Sequence, residues 1–477
     1  MEACLFFVRR LLGIFVLRFL IFRYNMDLHP LFLERIRNDF GGEADKFISA
    51  IGSNAVVSVR TNPRKLTDVC LPDRVPWCSS GFYLSQRPVF TLDPLFNAGA
   101  YYVQEASSMF LEQAVRQYAE LTPDTVILDL CASPGGKSTH LLSLLDGRGL
   151  LVSNEYVGQR VAPLRENITK WGFPNVVVTN AAPADLGKCD GLFDVILVDA
   201  PCSGEGMFRK DDQAVKEWSP ENVAMCAKRQ REILNDVFPA LKEGGLLIYS
   251  TCTYNCSEDE DNVRWICAEL GGEYLHVNVD GGWHIADSGY GYHFYPHLSR
   301  GEGFFLAAIR KTSSANSVKC KVQKFKAPVN ANVVKKWLVD GGLFSFFETA
   351  DKTLIAFPNK FSDVLALLKS HLKVVQAGVA VAQVKGSDFL PSPSLALSLA
   401  LNRSEFNTIN VDWQQAVSFL KRENLALSDA PKGWLLVVFN NVALGWLKNM
   451  GNRSNGYFPV EWHVRMNADV NLYTPLF

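Results

Sequence analysis

Between Thr125 and Thr251 the sequence repeats one pattern five times: a short apolar run, then a longer polar or amphipathic stretch. The runs are TVILDL, GLLVSN, NVVVT, FDVILVDA and GGLLIYST. Helical periodicity fills the spaces around 137–145, 157–171, 221–242 and 258–270. An apolar run without alternation suits a strand buried on both faces. Strands joined through helices pair in parallel, because a helical crossover returns the chain to the same end of the sheet. The pattern predicts an α/β domain with a doubly wound, mainly parallel, Rossmann-like sheet. Its ligand is expected in the crevice at the carboxyl ends of the strands.

The first of those ends carries DLCASPGGKST, Asp129 to Thr139. Gly136-Lys137-Ser138 resembles a phosphate loop, but Cys131 stands where that loop needs its first glycine. Gly135 and Gly136 are adjacent, so the three spaced glycines of a dinucleotide turn are absent as well. A tight loop opening a helix remains, with backbone N–H groups aimed at a compact polar ligand. Glu155 follows the second run, 19 residues beyond Gly136, where a carboxylate meets ribose hydroxyls. A ribose ligand without a phosphate loop points to S-adenosyl-L-methionine. A helix-capping role is the alternative for Glu155.

The fourth run leads into DAPCSGEG and the fifth into STCTY, placing Asp199, Cys202 and Cys252 at neighbouring strand tips. Two cysteines in adjacent turns are expected to share one cleft rather than to fill a core. The eleven cysteines are odd in number and lack framework spacing, which predicts reduced thiols in the cytoplasm. Cys252, Cys256 and Cys267 cluster, yet no Cys-x-x-Cys pair or histidine falls at ligand spacing, so no metal is expected. A net charge of −1 excludes a chain coated with nucleic acid but leaves room for a local basic face.

The 477 residues divide by pattern into five parts. Residues 1–25 are apolar but interrupted by Arg9, Arg10, Arg18 and Arg23, so no uncharged run reaches the ~18–20 residues of a membrane span. They are expected to be a non-native extension from a misplaced start codon, with a membrane anchor as the alternative. Residues 26–115 begin with an amphipathic helix and continue through AVVSVRTNPRK and YYVQEASSMFLEQAV, an N-terminal α+β region. Residues 116–310 hold the catalytic pattern. Residues 311–385 form a basic linker and intermediate region: Arg310 and seven lysines fall between 310 and 336 without one acidic residue. Residues 386–477 read as a β-rich domain in which GWLLVVFNNVALGW forms a hairpin about an Asn-Asn turn.

Taken together, CASPGGK, DAPCSGEG and STCTY resemble the Sun/Fmu family of RNA cytosine-C5 methyltransferases. RTNPRK, YYVQEASSM, RVAPLRENITKWG and GEGFF support the resemblance over roughly 50–310. The C-terminal stretch is similar to the PUA-like region of the bacterial RsmF (YebU) type, which acts on small-subunit ribosomal RNA. The resemblance implies Cys252 as nucleophile, Asp199 on the base, and Cys202 in adduct release. It implies donor contacts from Cys131, Ala132, Ser133, Pro134, Gly135, Gly136, Lys137, Glu155, Arg160 and Asp199. The implied partner is 16S ribosomal RNA or the small subunit, not DNA or a membrane, with a monomer by default. Transfer RNA is an alternative substrate, and a catalytically weak assembly factor an alternative function. Two departures bear on this: Ala182 stands where the family places an acid near adenine, and His293 where relatives show arginine.

Overall fold

Among the described residues, the helices Pro30–Phe40 and Ala44–Ile51 come first and lead into a three-stranded antiparallel sheet. Its strands are β1 (Val57–Thr61), β2 (Gly81–Leu84) and β3 (Tyr101–Val103), in the order β2-β1-β3. The structure is a computed structural model describing residues 27–314 and 331–477, apart from positions 68, 426, 428, 429, 468, 470–472 and 474. The expected extension over 1–25 and most of the basic stretch between Arg310 and Lys336 lie outside the described residues.

The five apolar runs form β4 (Val126–Asp129), β5 (Leu150–Asn154), β6 (Val176–Thr179), β7 (Phe193–Asp199) and β8 (Leu241–Thr251). They pair in parallel in the order β6-β5-β4-β7-β8. Their side chains alternate between two cores. Ile127, Leu151, Val178 and Val195 enter one with Leu141, Leu142, Leu164 and Ile168 of the helices Gly136–Leu145 and Val161–Trp171. Leu128, Val152, Ile196 and Val198 enter the other with Leu234 and Val237 of the helix Pro220–Val237. Burial on both faces is why these runs read as continuous rather than alternating. The helix expected over 221–242 stops at Val237 because Pro239 cannot continue it, and Leu241 already belongs to β8.

The chain runs from β4 through β5 to β6 on one side, then returns to place β7 on the other side of β4. That reversal splays the loops after β4 and β7 apart and opens the crevice. Four further strands follow: β9 (Gly272–Leu275), β10 (Ala286–Asp287), β11 (Tyr292–Phe294) and β12 (Phe304–Lys311). β12 pairs antiparallel with β8 and carries GEGFF up to the same crevice.

After residue 331 come β13 (Phe344–Glu348), β14 (Thr353–Pro358), β15 (Val374–Ala377), β16 (Val379–Lys385) and β17 (Asp388–Pro391). β13, β14, β16 and β17 form an antiparallel sheet, whereas β15 joins the far edge of the catalytic sheet against β6. The last sheet comprises β18 (Asn407–Asn410), β19 (Gly433–Phe439), β20 (Val442–Asn449) and β21 (Ser454–Gly456). Asn440 and Asn441 turn the β19–β20 hairpin with φ of 45° and 62°, left-handed values that asparagine tolerates. Among the described residues no helix is long and apolar enough to cross a membrane.

Arg60, near the end of β1, is fully buried. Its guanidinium donates to Gln104 Oε1 at 2.6 Å, Thr139 Oγ1 at 2.6 Å and Gly136 O at 3.2 Å, and lies 4.6 Å from the Trp171 ring. The N-terminal sheet thereby fixes the turn between β4 and its helix from behind.

Candidate active site

The turns after β7 and β8 are tied together by backbone and side chain. Ala200 N–H donates to Ser250 O and Gly206 N–H to Cys252 O, both at 2.9 Å. Ser203 Oγ and Thr253 Oγ1 lie 3.1 Å apart. Beneath them the buried Glu258 carboxylate accepts from Ser203 N–H at 3.0 Å and from Asn255 Nδ2 and Gln230 Nε2 at 2.7 Å each. Gln230 also donates to Pro201 O at 3.0 Å. The result is a rigid double turn that sets Cys202 Sγ 3.1 Å from Cys252 Sγ. The expected convergence of the two thiols in one place is found.

Close backbone approach is part of this construction. A Cβ on Gly206 would lie 2.3 Å from Gly303 O, and one on Gly303 would strike the Tyr254 ring at 2.3 Å. Both glycines are therefore fixed by space rather than by dihedral angle. Gly206→Ala is expected to cost about 1–3 kcal/mol through overpacking against backbone. Thermal unfolding checks this: the midpoint should fall by several degrees, and an unchanged midpoint would contradict the packing.

Asp199 ends β7 between two donors: Lys137 Nζ at 2.8 Å from Oδ2, and Ser250 Oγ at 2.8 Å from Oδ1. Lys137 also lies 5.1 Å from the centre of the Phe304 ring. Burial works against its charge, but Asp199 outweighs burial and raises its pKa, so it remains a cation. The bond to the Cys252 sulfur, and then burial, push the Cys202 thiol well above its ordinary value.

A cavity of about 1120 Å³ opens over these groups. Of the expected residues, Cys131, Ala132, Ser133, Pro134, Gly136, Lys137, Asp199 and Cys252 line it. Its volume exceeds the ~300–1,000 Å³ of a site for one small molecule, so it has room for a donor and a nucleotide together. Gly135, Glu155, Arg160 and Cys202 are not among its walls. Gly135 shapes the turn through a left-handed φ of 113°. Arg160 and Ser133 hold each other: Arg160 Nη2 donates to Ser133 O, and Ser133 Oγ to Arg160 O, both at 2.8 Å. Glu155 accepts from Val157 N–H at 2.8 Å and lies 3.8 Å from Arg160 Nε.

Ala182 supplies no polar side chain after β6, and its neighbours are engaged elsewhere. Asn180 donates to Glu155 O at 2.8 Å and Tyr156 O at 2.9 Å, and Asp185 pairs with Lys188 at 2.7 Å. His293 is buried, stacked on Tyr295, with Nε2 2.7 Å from Glu260 Oε1. Burial alone would raise Glu260, but the bond to His293 carries it down to about 2. His293 thus faces an internal carboxylate, away from the cavity walls.

Sequence reasoning missed Ser250, Glu258 and Asp129. Ser250 lies inside the STCTY stretch with nothing to single it out, and Glu258 sits in a polar helix start that resembles any surface. Asp129 ends β4 inside the cavity, fully buried, with Oδ2 accepting from Ser138 Oγ at 2.6 Å and Oδ1 without a partner among the described residues. Burial, with Asp199 adding repulsion, pushes its carboxyl up to about 7.

A doubly wound parallel sheet with a glycine turn after β4, an acid after β7 and a pair of cysteines at the tips of β7 and β8 defines a methyltransferase of the Rossmann-like class. Residues 117–310 match the family model of 16S rRNA methyltransferase RsmB/F. Residues 28–106 match the N-terminal domain of 16S rRNA methyltransferase RsmF, and 406–464 the methyltransferase RsmF PUA domain. Ribosomal RNA small subunit methyltransferase F of Aliivibrio salmonicida is 31% identical over 413 residues, covering 82% of this chain and 85% of that one. The protein of the same name from Shewanella oneidensis is 29% identical over 472 residues, 91% of this chain and 97% of that one. Among solved structures, a methyltransferase homolog protein from Pyrococcus horikoshii is 27% identical with a TM-score of 0.52, covering 60% of this chain and 96% of that one. The chain belongs to the RsmF family of small-subunit ribosomal RNA methyltransferases.

Enzymes of this family use S-adenosyl-L-methionine, and the residues present fit it. The turn after β4 offers backbone N–H groups to a carboxylate. The unpartnered Asp129 Oδ1 offers an acceptor to a cationic or N–H group inside the cavity. Residues 131–137, with Asp129, would hold the donor.

Proposed function

We propose that this protein methylates carbon 5 of a cytosine in 16S ribosomal RNA through a covalent bond between Cys252 and carbon 6. The single observation carrying this reading is the 3.1 Å approach of the two sulfurs beside the cavity that Cys252, Asp199 and Lys137 line. Carbon 5 of cytosine is a weak nucleophile until a thiolate adds to carbon 6 and makes the ring enamine-like. S-adenosyl-L-methionine supplies an electrophilic sulfonium methyl group. Cys252 faces the cavity and adds to the base. Asp199, oriented by Lys137 and Ser250, holds the protonated N3 and amino edge of the ring. Cys202, beside Cys252, assists the last steps: the carbon 5 proton passes to solvent, and the electron pair it leaves re-forms the ring double bond and expels Cys252 from carbon 6 as a thiolate. Extruding the base costs a few kcal/mol and favours a looped or unpaired target.

Glu155, Arg160 and Gly135 support the donor site from outside its walls in this reading. The N-terminal region 26–115 and the C-terminal region 386–477 bind RNA around the catalytic domain 116–310, and the protein acts in the cytoplasm. Incubation with methyl-labelled S-adenosyl-L-methionine and 16S ribosomal RNA tests the reading, with transfer RNA as comparator. Labelled 5-methylcytosine is expected in the ribosomal RNA. RNA binding without any product would favour an assembly factor that retains the fold, and product only in transfer RNA would reassign the substrate.

Asp129 adds a pH dependence. Its folded pKa is raised to about 7, so the donor-free protein favours the protonated acid and loses that contribution as pH rises through about 7. A positively charged donor favours the carboxylate instead. Affinity for S-adenosyl-L-methionine, measured by calorimetry, is therefore expected to rise between pH 6 and about 8. Asp129→Asn should flatten the profile, and an unaltered profile would remove Asp129 from the site.

A further inference from the structure

Away from the catalytic cavity, a second concavity of about 550 Å³ lies between the segment after β1, residues 396–404 and the β19–β20 turn. Arg64, Lys65 and Arg403 line it, together with serine, asparagine and apolar groups, and among the described residues no carboxylate does. For a chain of net charge −1, three cations around one acid-free hollow are a local excess. Among the described residues, Arg403 donates only to Asn441 O at 2.9 Å, and Lys65 Nζ only to Ala98 O at 2.8 Å and Lys170 O at 2.6 Å. Burial, and then repulsion from Arg403, push the Lys65 ammonium down to about 7, a strain that a bound anion would relieve.

Arg64 also lines an adjoining concavity of about 670 Å³ that contains Arg74, Arg116 and Arg148. Its acids are already engaged: Glu112 with Arg116 at 2.7 Å and His140 at 3.0 Å, and Asp146 with Arg64 at 3.6 Å. Among the described residues Arg74 and Arg148 have no carboxylate within ion-pair distance. The two hollows meet at Arg64 and form one basic track. The helix Gly136–Leu145 starts at the catalytic cavity and ends beside this track, and its ten residues span about 15 Å. The track therefore lies at the amino end of the strands, out of reach of the target base.

We propose that Arg64, Lys65, Arg74, Arg148 and Arg403 bind the sugar–phosphate backbone of the RNA substrate at a segment flanking the target cytosine. The inference rests on the proposed RNA substrate and adds where a second stretch of that RNA lies. Contacts of this kind fix position without reading sequence. They release counterions, so they are visible in salt dependence.

The test is the double variant Arg148→Glu/Arg403→Glu, both exposed positions outside the catalytic machinery. The full-length protein is titrated with a 16S ribosomal RNA transcript at several salt concentrations, without methyl donor. The dissociation constant is expected to rise at least about tenfold near 0.1 M salt. The slope of log affinity against log salt should shrink by about 0.7–0.9 for each phosphate that is no longer neutralised. Donor affinity, melting midpoint and kcat at saturating RNA should stay at the wild-type level. The milder Arg148→Gln/Arg403→Gln should shift affinity in the same direction by less. Unchanged RNA affinity and slope in both variants would overturn the track, as would a defect seen only with assembled subunits. Because binding is read without the donor, a protein that made no 5-methylcytosine would still report on the track.

Discussion

Cys252→Ala is expected to abolish methyl transfer, with turnover reduced by a factor on the order of 10⁴–10⁶, since removing a covalent nucleophile leaves only binding and electrostatics. Binding of S-adenosyl-L-methionine should persist, because the donor turn belongs to the β4 end of the sheet and not to the β8 turn. Cys202→Ala is expected to fail differently. Addition and methylation proceed, release does not, and protein accumulates as an RNA adduct that survives a denaturing gel. The 3.1 Å separation of the sulfurs makes the contrast sharp, because two groups so close divide the work by which of them faces the base. Cys252 is in the cavity wall, whereas Cys202 is not. Should the adduct appear with Cys252→Ala instead, the roles of the two sulfurs are exchanged.

The second large effect is at Asp199. Asp199→Asn keeps the shape and one acceptor but loses the charge that orients Lys137 and holds a protonated ring edge. Loss of a positioned acid–base or charge-stabilising group costs about 10²–10⁴ in kcat. KM for RNA should change much less, because backbone contacts elsewhere carry most of the affinity. A variant with unchanged kcat and a raised KM would show Asp199 to bind substrate without assisting the chemistry.

Much of this architecture is visible in the amino-acid order. The β4–β8 runs are buried on both faces, and no other common element produces five short continuous apolar stretches separated by helices. Each run ends in residues no core would select, such as Pro201-Cys202 or Thr251-Cys252, which is why the crevice could be located from sequence. The edges were harder. β15 is four residues long and pairs with β6 some 200 positions earlier, so nothing local marks Val374–Ala377 as part of the catalytic sheet. β16 and β17 form a hairpin whose turn spans the expected boundary at 386, because a change in composition does not coincide with a change in pairing.

Arg60 of RTNPRK is a buried brace for the Gly136 turn, whereas Arg64 and Lys65 of the same motif face a different hollow. Glu155 stands at ribose-binding spacing but directs its carboxylate to Val157 N–H and Arg160. Spacing along a chain places the Cα, and partners across the fold decide where the polar atoms point. Glu258 and Asp129 show the converse, since their importance comes from partners brought together only by tertiary structure.

The most direct measurement is to trap the Cys202→Ala protein on 16S ribosomal RNA in the presence of the methyl donor, digest both polymers, and sequence the crosslinked peptide by mass spectrometry. A methylated cytidine attached to Cys252, within the peptide from Glu243 to Arg264, is the expected product. Attachment at any other cysteine, or RNA methylated to completion with no protein-bound nucleotide, would contradict a covalent route through Cys252.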